Sequence, residues 1–286
     1  MDLLTAIIEE RGLNKKNTIK TYHTNTQSAI DFFEDDEFYN KAENKIRLEM
    51  AGSDLSTRQK YEIVNISIMF KLHLDRQVKI LEAYRTKLSA QLKMETAEKL
   101  QTIKLPSYST YFGKINGEMA ETNPQRYIVN MLLKLFGFRN LDLYMSIVKL
   151  AGRTKLPADG NTNYMVVRKT KIELEIRNYK TAATNGIKKL TIQKRDHSLL
   201  FKTITNYYNS GHRFLLSKRN LDQIALNSIS KIMMQLTDNL GSGNIFKMIV
   251  KHYREAGELC KLKELSASRG TAMGTIIENY NINDAS

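Results

Sequence analysis

Ile172-Glu173-Leu174-Glu175-Ile176 alternates apolar and acidic residues without a break, which is the period-two pattern of a strand with one buried and one wet face. Before it, the Gly160-Asn161-Thr162-Asn163 turn leads into the apolar run Tyr164-Met165-Val166-Val167. After it, the Asn185-Gly186 turn signal leads into Ile187-Lys188-Lys189-Leu190-Thr191-Ile192. This spacing predicts three short strands in an antiparallel meander, with 181–186 as the hairpin loop.

On both sides of the meander the apolar residues recur at helical spacing. Ile128, Met131, Leu132, Leu135 and Phe136 form a stripe on a helix that opens with Pro124. Beyond Ser198 the pattern is helical again, with Phe214-Leu215-Leu216 as a short extended piece. In the first hundred residues, Ile63, Ile66, Ile68, Met69 and Leu72 belong to a helix for which Ser56, followed by Gln59, supplies the N-cap. A second amphipathic run covers 78–100 and ends before Pro106. The expected fold class is therefore mainly α with a small antiparallel β-sheet. The expected domains are a helical one over 1–105, a linker or a loop with a short helix over 106–123, where Ser and Gly recur, and an α+β domain over 124–286.

Composition narrows the partners. The chain has 286 residues and a net charge of +14, and the excess is uneven. Residues 1–100 hold 16 Lys and Arg against 16 Asp and Glu, whereas residues 101–286 hold 28 against 14. A neutral first part followed by a basic second part favours a polyanionic partner, because each phosphate neutralised releases condensed counterions. No stretch approaches the roughly 20 apolar residues of a membrane span. Asp2 stands where a secretory leader carries a basic residue, so an intracellular protein is expected. The single cysteine, Cys260, excludes an internal disulfide, and no Cys/His cluster has metal spacing, so neither a metal nor another cofactor is expected.

Three strings carry more specific information: Gly137-Phe138-Arg139-Asn140-Leu141-Asp142, Arg177-Asn178-Tyr179-Lys180-Thr181 with Gly186, and Gly270-Thr271 leading to Glu278-Asn279-Tyr280-Asn281. In this order they resemble the tyrosine recombinases, particularly the integrase-like members found in large DNA viruses and mobile elements. The resemblance implies that 1–105 is a core-binding clamp on double-stranded DNA and 124–286 the catalytic domain. It also implies assembly as a homo-oligomer on paired DNA sites. Arg139 would lie on a helix as the first catalytic arginine, Lys180 would be the general acid at the tip of the hairpin, and Tyr280 would be the nucleophile.

Elementary chemistry explains why such residues go together. A phenol with a pKa of about 10 attacks poorly at neutral pH unless cations lower the cost of its phenolate. Attack on a phosphodiester concentrates charge on the non-bridging oxygens, which a guanidinium fork can bind two at a time. A lysine suits the departing 5′ oxygen, since its pKa moves with its surroundings. The product is a 3′-phosphotyrosyl bond, formed without metal or ATP.

The chain departs from the family pattern at two places. Where a His-x-x-Arg motif is expected, it has Asn244-Ile245-Phe246-Lys247, so Lys247 takes the second arginine position and Asn244 that of the histidine. Nine residues before Tyr280, Thr271 replaces a histidine or tryptophan, with Arg269 beside it as a compensating cation. Two rival readings follow, a non-enzymatic DNA-binding protein of the same fold and a type IB topoisomerase-like enzyme.

Overall fold

The computed structural model describes residues 3–13, 16–102, 104–151, 155–157, 160–180 and 182–279. It divides into two compact units, 1–103 and 104–286.

Among its described residues the first unit has helices and no strand: α1 (Leu3–Glu10), α2 (Lys16–Phe33), α3 (Glu43–Gly52), α4 (Thr57–His73) and α5 (Lys79–Thr102). Ser56 caps α4 as the sequence predicts. Its hydroxyl accepts from the Gln59 amide at 3.3 Å, while the Gln59 side chain accepts from the Ser56 amide at 3.0 Å. Phe38, Ile46, Met50 and Leu81 are fully buried in the core. Phe38 meets Phe33 and Phe70 at ring distances of 5.8 and 5.5 Å.

The second unit begins with α6 (Tyr108–Gly113) and α7 (Gly117–Thr122), then α8 (Pro124–Phe136). Residues 106–123 are thus not the expected linker. Tyr111, Phe112, Ile115 and Ala120 are buried in the unit's own core, and Tyr111 donates its hydroxyl to the buried Asn130 at 2.6 Å. The Ser and Gly residues that look like linker are helix punctuation: Ser107 and Asn116 cap α6 and α7.

The sheet follows: β1 (Met145–Lys149), β2 (Asn163–Val167), β3 (Lys171–Ile176) and β4 (Lys188–Gln193), in spatial order β1-β2-β3-β4. The last three are the expected antiparallel meander. The sheet also has a fourth strand that the periodicity does not announce, and it is mixed, because β1 runs parallel to β2. All five residues of β2 are buried, whereas β1 buries Met145 and Ile147, leaves Ser146 and Val148 partly covered and exposes Lys149, so its alternation is too short and too weakly polar to stand out. The extended piece at 214–216 covers the outer edge of β1, with Leu215 N bonded to Met145 O at 3.0 Å and Ser146 bridged to Phe214. On β3, Ile172, Leu174 and Ile176 face the core, while Glu173 and Glu175 pair with Arg168 and Arg177 on the outer face.

A one-turn helix, α9 (Ala182–Asn185), lies between β3 and β4. Five helices complete the unit: α10 (Ser198–Asn209), α11 (Ile229–Leu236), α12 (Gly241–Glu255), α13 (Leu259–Arg269) and α14 (Met273–Asn279). Among the described residues no helix is long and apolar enough to cross a membrane.

Candidate functional site

Helix α8 ends at Gly137, whose φ of 59° and ψ of 32° place it in the left-handed region that only glycine enters freely. The chain then turns through 139–142, and Asp142 closes the turn by accepting from the Arg139 amide at 2.9 Å. Arg139 therefore stands in the turn between α8 and β1 rather than on a helix. The glycine cap ends the helix two residues too early.

From this turn the Arg139 guanidinium reaches the corner between α13 and α14. It donates to the Arg269 carbonyl at 2.8 Å and to Thr271 Oγ1 at 2.9 Å. Arg269 is 5 % exposed, donates back to the Gly137 carbonyl and lies 3.8 Å over the Phe246 ring of α12. Ser268 donates to the Phe136 carbonyl at 2.8 Å. The last carbonyls of α8, which have no partner within their helix, are thus taken up by the end of α13. Arg139 thus joins Arg269 and Thr271, 130 and 132 residues further along the chain, in one cluster.

A third cation joins them. It is Lys188, the first residue of β4, which donates from Nζ to the Ser268 carbonyl at 3.0 Å and lies 4.0 Å over the Tyr179 ring. It pairs in register with Ile176 and shares its face with Leu190 and Ile192, so it occupies a core-facing position at the end of an apolar row. Burial pushes its pKa down to about 8, Asp142 pulls against this, and Arg139 and Arg269 push further down. Asp142, 1 % exposed, is itself held above the usual carboxylate range by burial, with the Arg139 amide, Lys188, Arg139 and Arg269 opposing.

Asn163, at the start of β2, fastens the Arg139 turn to the end of β3. Its side chain donates to the carbonyls of Leu141 and Asn178, both at 3.1 Å, and accepts from the amides of Arg177 and Asn178 at 2.9 and 2.8 Å. Tyr179 closes the following loop by donating its hydroxyl to the Gly186 carbonyl at 2.7 Å. An open hollow borders the cluster, lined by Asn185, Lys188, Ser266, Gly270 and Thr271.

The other candidates are placed differently. Lys180 is exposed on the turn that leaves β3. Lys247 and Asn244 lie one turn apart on α12, half-buried, with Lys247 Nζ donating to Asn244 Oδ1 at 3.3 Å. Burial holds the Lys247 ammonium below the usual lysine range. Helix α12 meets the cluster through Phe246 and through Ser242, which donates to Asn140 Oδ1 at 2.6 Å. Tyr280, one residue beyond α14, lies outside the described residues. Reasoning from sequence missed Lys188, Asn163 and Asp142. For Lys188 a signal exists, a lysine on the apolar row of an alternating strand.

No protein-family model and no curated protein matches the chain. A solved structure described as the crystal structure of XerA recombinase is similar to it over 100% of this chain and 95% of its own, at 12% sequence identity and a TM-score of 0.39.

Proposed function

We propose that the protein binds double-stranded DNA and breaks and rejoins its strands through a 3′-phosphotyrosyl bond at Tyr280, as a site-specific recombinase or integrase. The observation that carries this reading is the convergence of Arg139, Arg269 and Lys188 beside a hollow at the start of α14, the helix that leads to Tyr280. Clustered cations of this kind are costly for folding and useful for an anion.

In this mechanism the scissile phosphate enters the hollow, Arg139 neutralises charge on its non-bridging oxygens, and Thr271 keeps the guanidinium aimed. Tyr280 attacks phosphorus, and a lysine of the β3–β4 segment protonates the leaving 5′ oxygen; the family resemblance assigns that task to Lys180. Lys247 supplies a second charge from α12, and Asn244 positions it. Arg269 holds α13 against α8 and contributes field. The first unit contributes further DNA contacts, and assembly on paired sites makes the active form a homo-oligomer.

A second reading has one specific observation in its favour. Both terminal nitrogens of Arg139 already donate to protein acceptors, which suits a DNA-binding protein that keeps the cluster for stability. One experiment separates the two. The protein is incubated with a nicked suicide duplex and run on a denaturing gel. The parent is expected to give a covalent adduct and Tyr280→Phe none, with duplex binding retained. Absence of adduct from the parent would establish the binding-only reading.

A further inference from the structure

We propose that Lys188, not Lys180, hands the proton to the departing 5′ oxygen, with the hollow beside β4 as the seat of the scissile phosphate. This rests on the strand-transfer reading above and assigns its acid.

The geometry distinguishes the two lysines. Lys188 is held from three sides, by Ile176 across the strand pair, by the Tyr179 ring 4.0 Å from Nζ and by the Ser268 carbonyl at 3.0 Å. One ammonium proton is engaged by Ser268 and the Tyr179 ring covers another side of the nitrogen, which leaves a proton for a group in the hollow that Lys188 lines together with Gly270 and Thr271. Lys180 is exposed, so solvent screens its charge and its side chain is free to rotate.

Proton affinity points the same way. The charged groups facing Lys188 are Asp142 and Arg139 from the turn after α8 and Arg269 from α13, and with burial they leave its pKa at about 8. An acid whose pKa lies near the working pH is protonated often enough to act and weak enough in its grip to let go. Arg139 and Arg269 cannot serve, because a guanidinium does not release its proton at any pH a protein survives.

The Tyr280 oxygen forms a bond to phosphorus, the bond from phosphorus to the 5′ oxygen breaks, and its electron pair stays on that oxygen. Lys188 gives this oxygen a proton and becomes a neutral amine. The phenol's proton passes to solvent, and solvent reprotonates the amine.

Two suicide duplexes test this, identical except that one carries sulfur in place of the bridging 5′ oxygen at the cleaved phosphate. A thiolate leaves without being protonated, because a thiol's pKa is only about 8.5. Single-turnover cleavage is measured for the parent, Lys188→Met, Lys188→Gln, Lys188→Arg and Lys180→Ala, the glutamine retaining a donor for Ser268. All three Lys188 variants should cut the oxygen duplex about 100- to 10,000-fold more slowly than the parent and the sulfur duplex at close to the parent rate. Lys180→Ala, whatever its rate, should keep the parent's ratio of oxygen to sulfur cleavage. The parent's rate on oxygen should fall as pH rises through about 8, and on sulfur it should not.

Lys188 variants that are equally slow on both duplexes, or as fast as the parent on both, overturn the assignment. So does sulfur rescue confined to Lys180→Ala. A parent that forms no adduct with either duplex overturns the strand-transfer reading and this proposal with it.

Discussion

Lys188 binds its proton less tightly in the folded chain, near pH 8, than after unfolding, near the ordinary value of 10.5. Between these values the unfolded chain holds a proton that the folded chain has lost, so stability rises with pH across that window. Below about 8 both states are protonated and the full cost of burying the ammonium is present. Lys188→Met has no such titration. In urea unfolding followed from pH 7 to pH 10.5, the parent should therefore gain stability relative to Lys188→Met. A constant difference would mean that Lys188 titrates as an exposed lysine. Lys247 makes a different prediction. In the proposed mechanism it supplies charge without a guanidinium's fork, so Lys247→Arg should cleave at least as fast as the parent. Lys247→Ala should lose about 100- to 1000-fold, the usual cost of removing one donor to a developing oxyanion. Equal single-turnover rates for the parent and Lys247→Ala would remove Lys247 from the site.

Elements meet at the site through their ends, and the end of α8 is the most constrained. A Cβ on Gly137 would lie 2.7 Å from the Phe246 ring and 3.1 Å from Leu265, and its φ of 59° is unfavourable for any other residue. Gly137→Ala should cost about 2–4 kcal/mol, combining left-handed strain with overpacking. Gly186 also has a positive φ, 66°, yet a Cβ there would meet open space. Gly186→Ala should cost only the backbone term, about 1 kcal/mol. Urea unfolding of the two variants checks the difference, and equal costs would mean that Phe246 yields freely. Because Arg269 rests on that same ring, Gly137→Ala should also slow cleavage beyond its effect on stability.

At the scale of the whole molecule, the proposed DNA binding together with the uneven charge would place most of the phosphate contact in residues 104–286. That unit has its own core, centred on α8, α12 and the sheet, so it should fold when expressed alone. Its affinity for duplex DNA should fall steeply with salt, with a slope of about −0.9 in log–log form for each phosphate neutralised. Residues 1–103, with balanced charge, should show a much shallower slope. Fluorescence anisotropy titrations of both fragments between low and physiological salt test this. Similar slopes would show that net charge does not report where phosphates bind.

Local patterns made much of this legible in advance. The alternation at 172–176, the Asn185-Gly186 turn, the cap at Ser56 and the stripe on α8 each depend on neighbours within a few residues, which is why periodicity and capping chemistry reveal them. Arg139, Arg269 and Thr271 were marked by their strings and do meet in space. Strand β1 was hidden because its five residues, Met-Ser-Ile-Val-Lys, alternate too briefly and with too little polarity to announce a strand, and its pairing comes from β2 and the distant 213–215 segment. The helices at 108–122 were only half legible, as a linker or a loop with a short helix, because short capped turns share their composition with linkers. Which lysine joins Arg139 was decided by tertiary structure alone. Lys180 and Lys188 sit eight residues apart in similar company, and only the packing of β4 against the end of α13 buries one of them beside two guanidinium groups and a carboxylate. A pKa is set by charges and solvent in three dimensions, and those neighbours come from parts of the chain that no local window brings together.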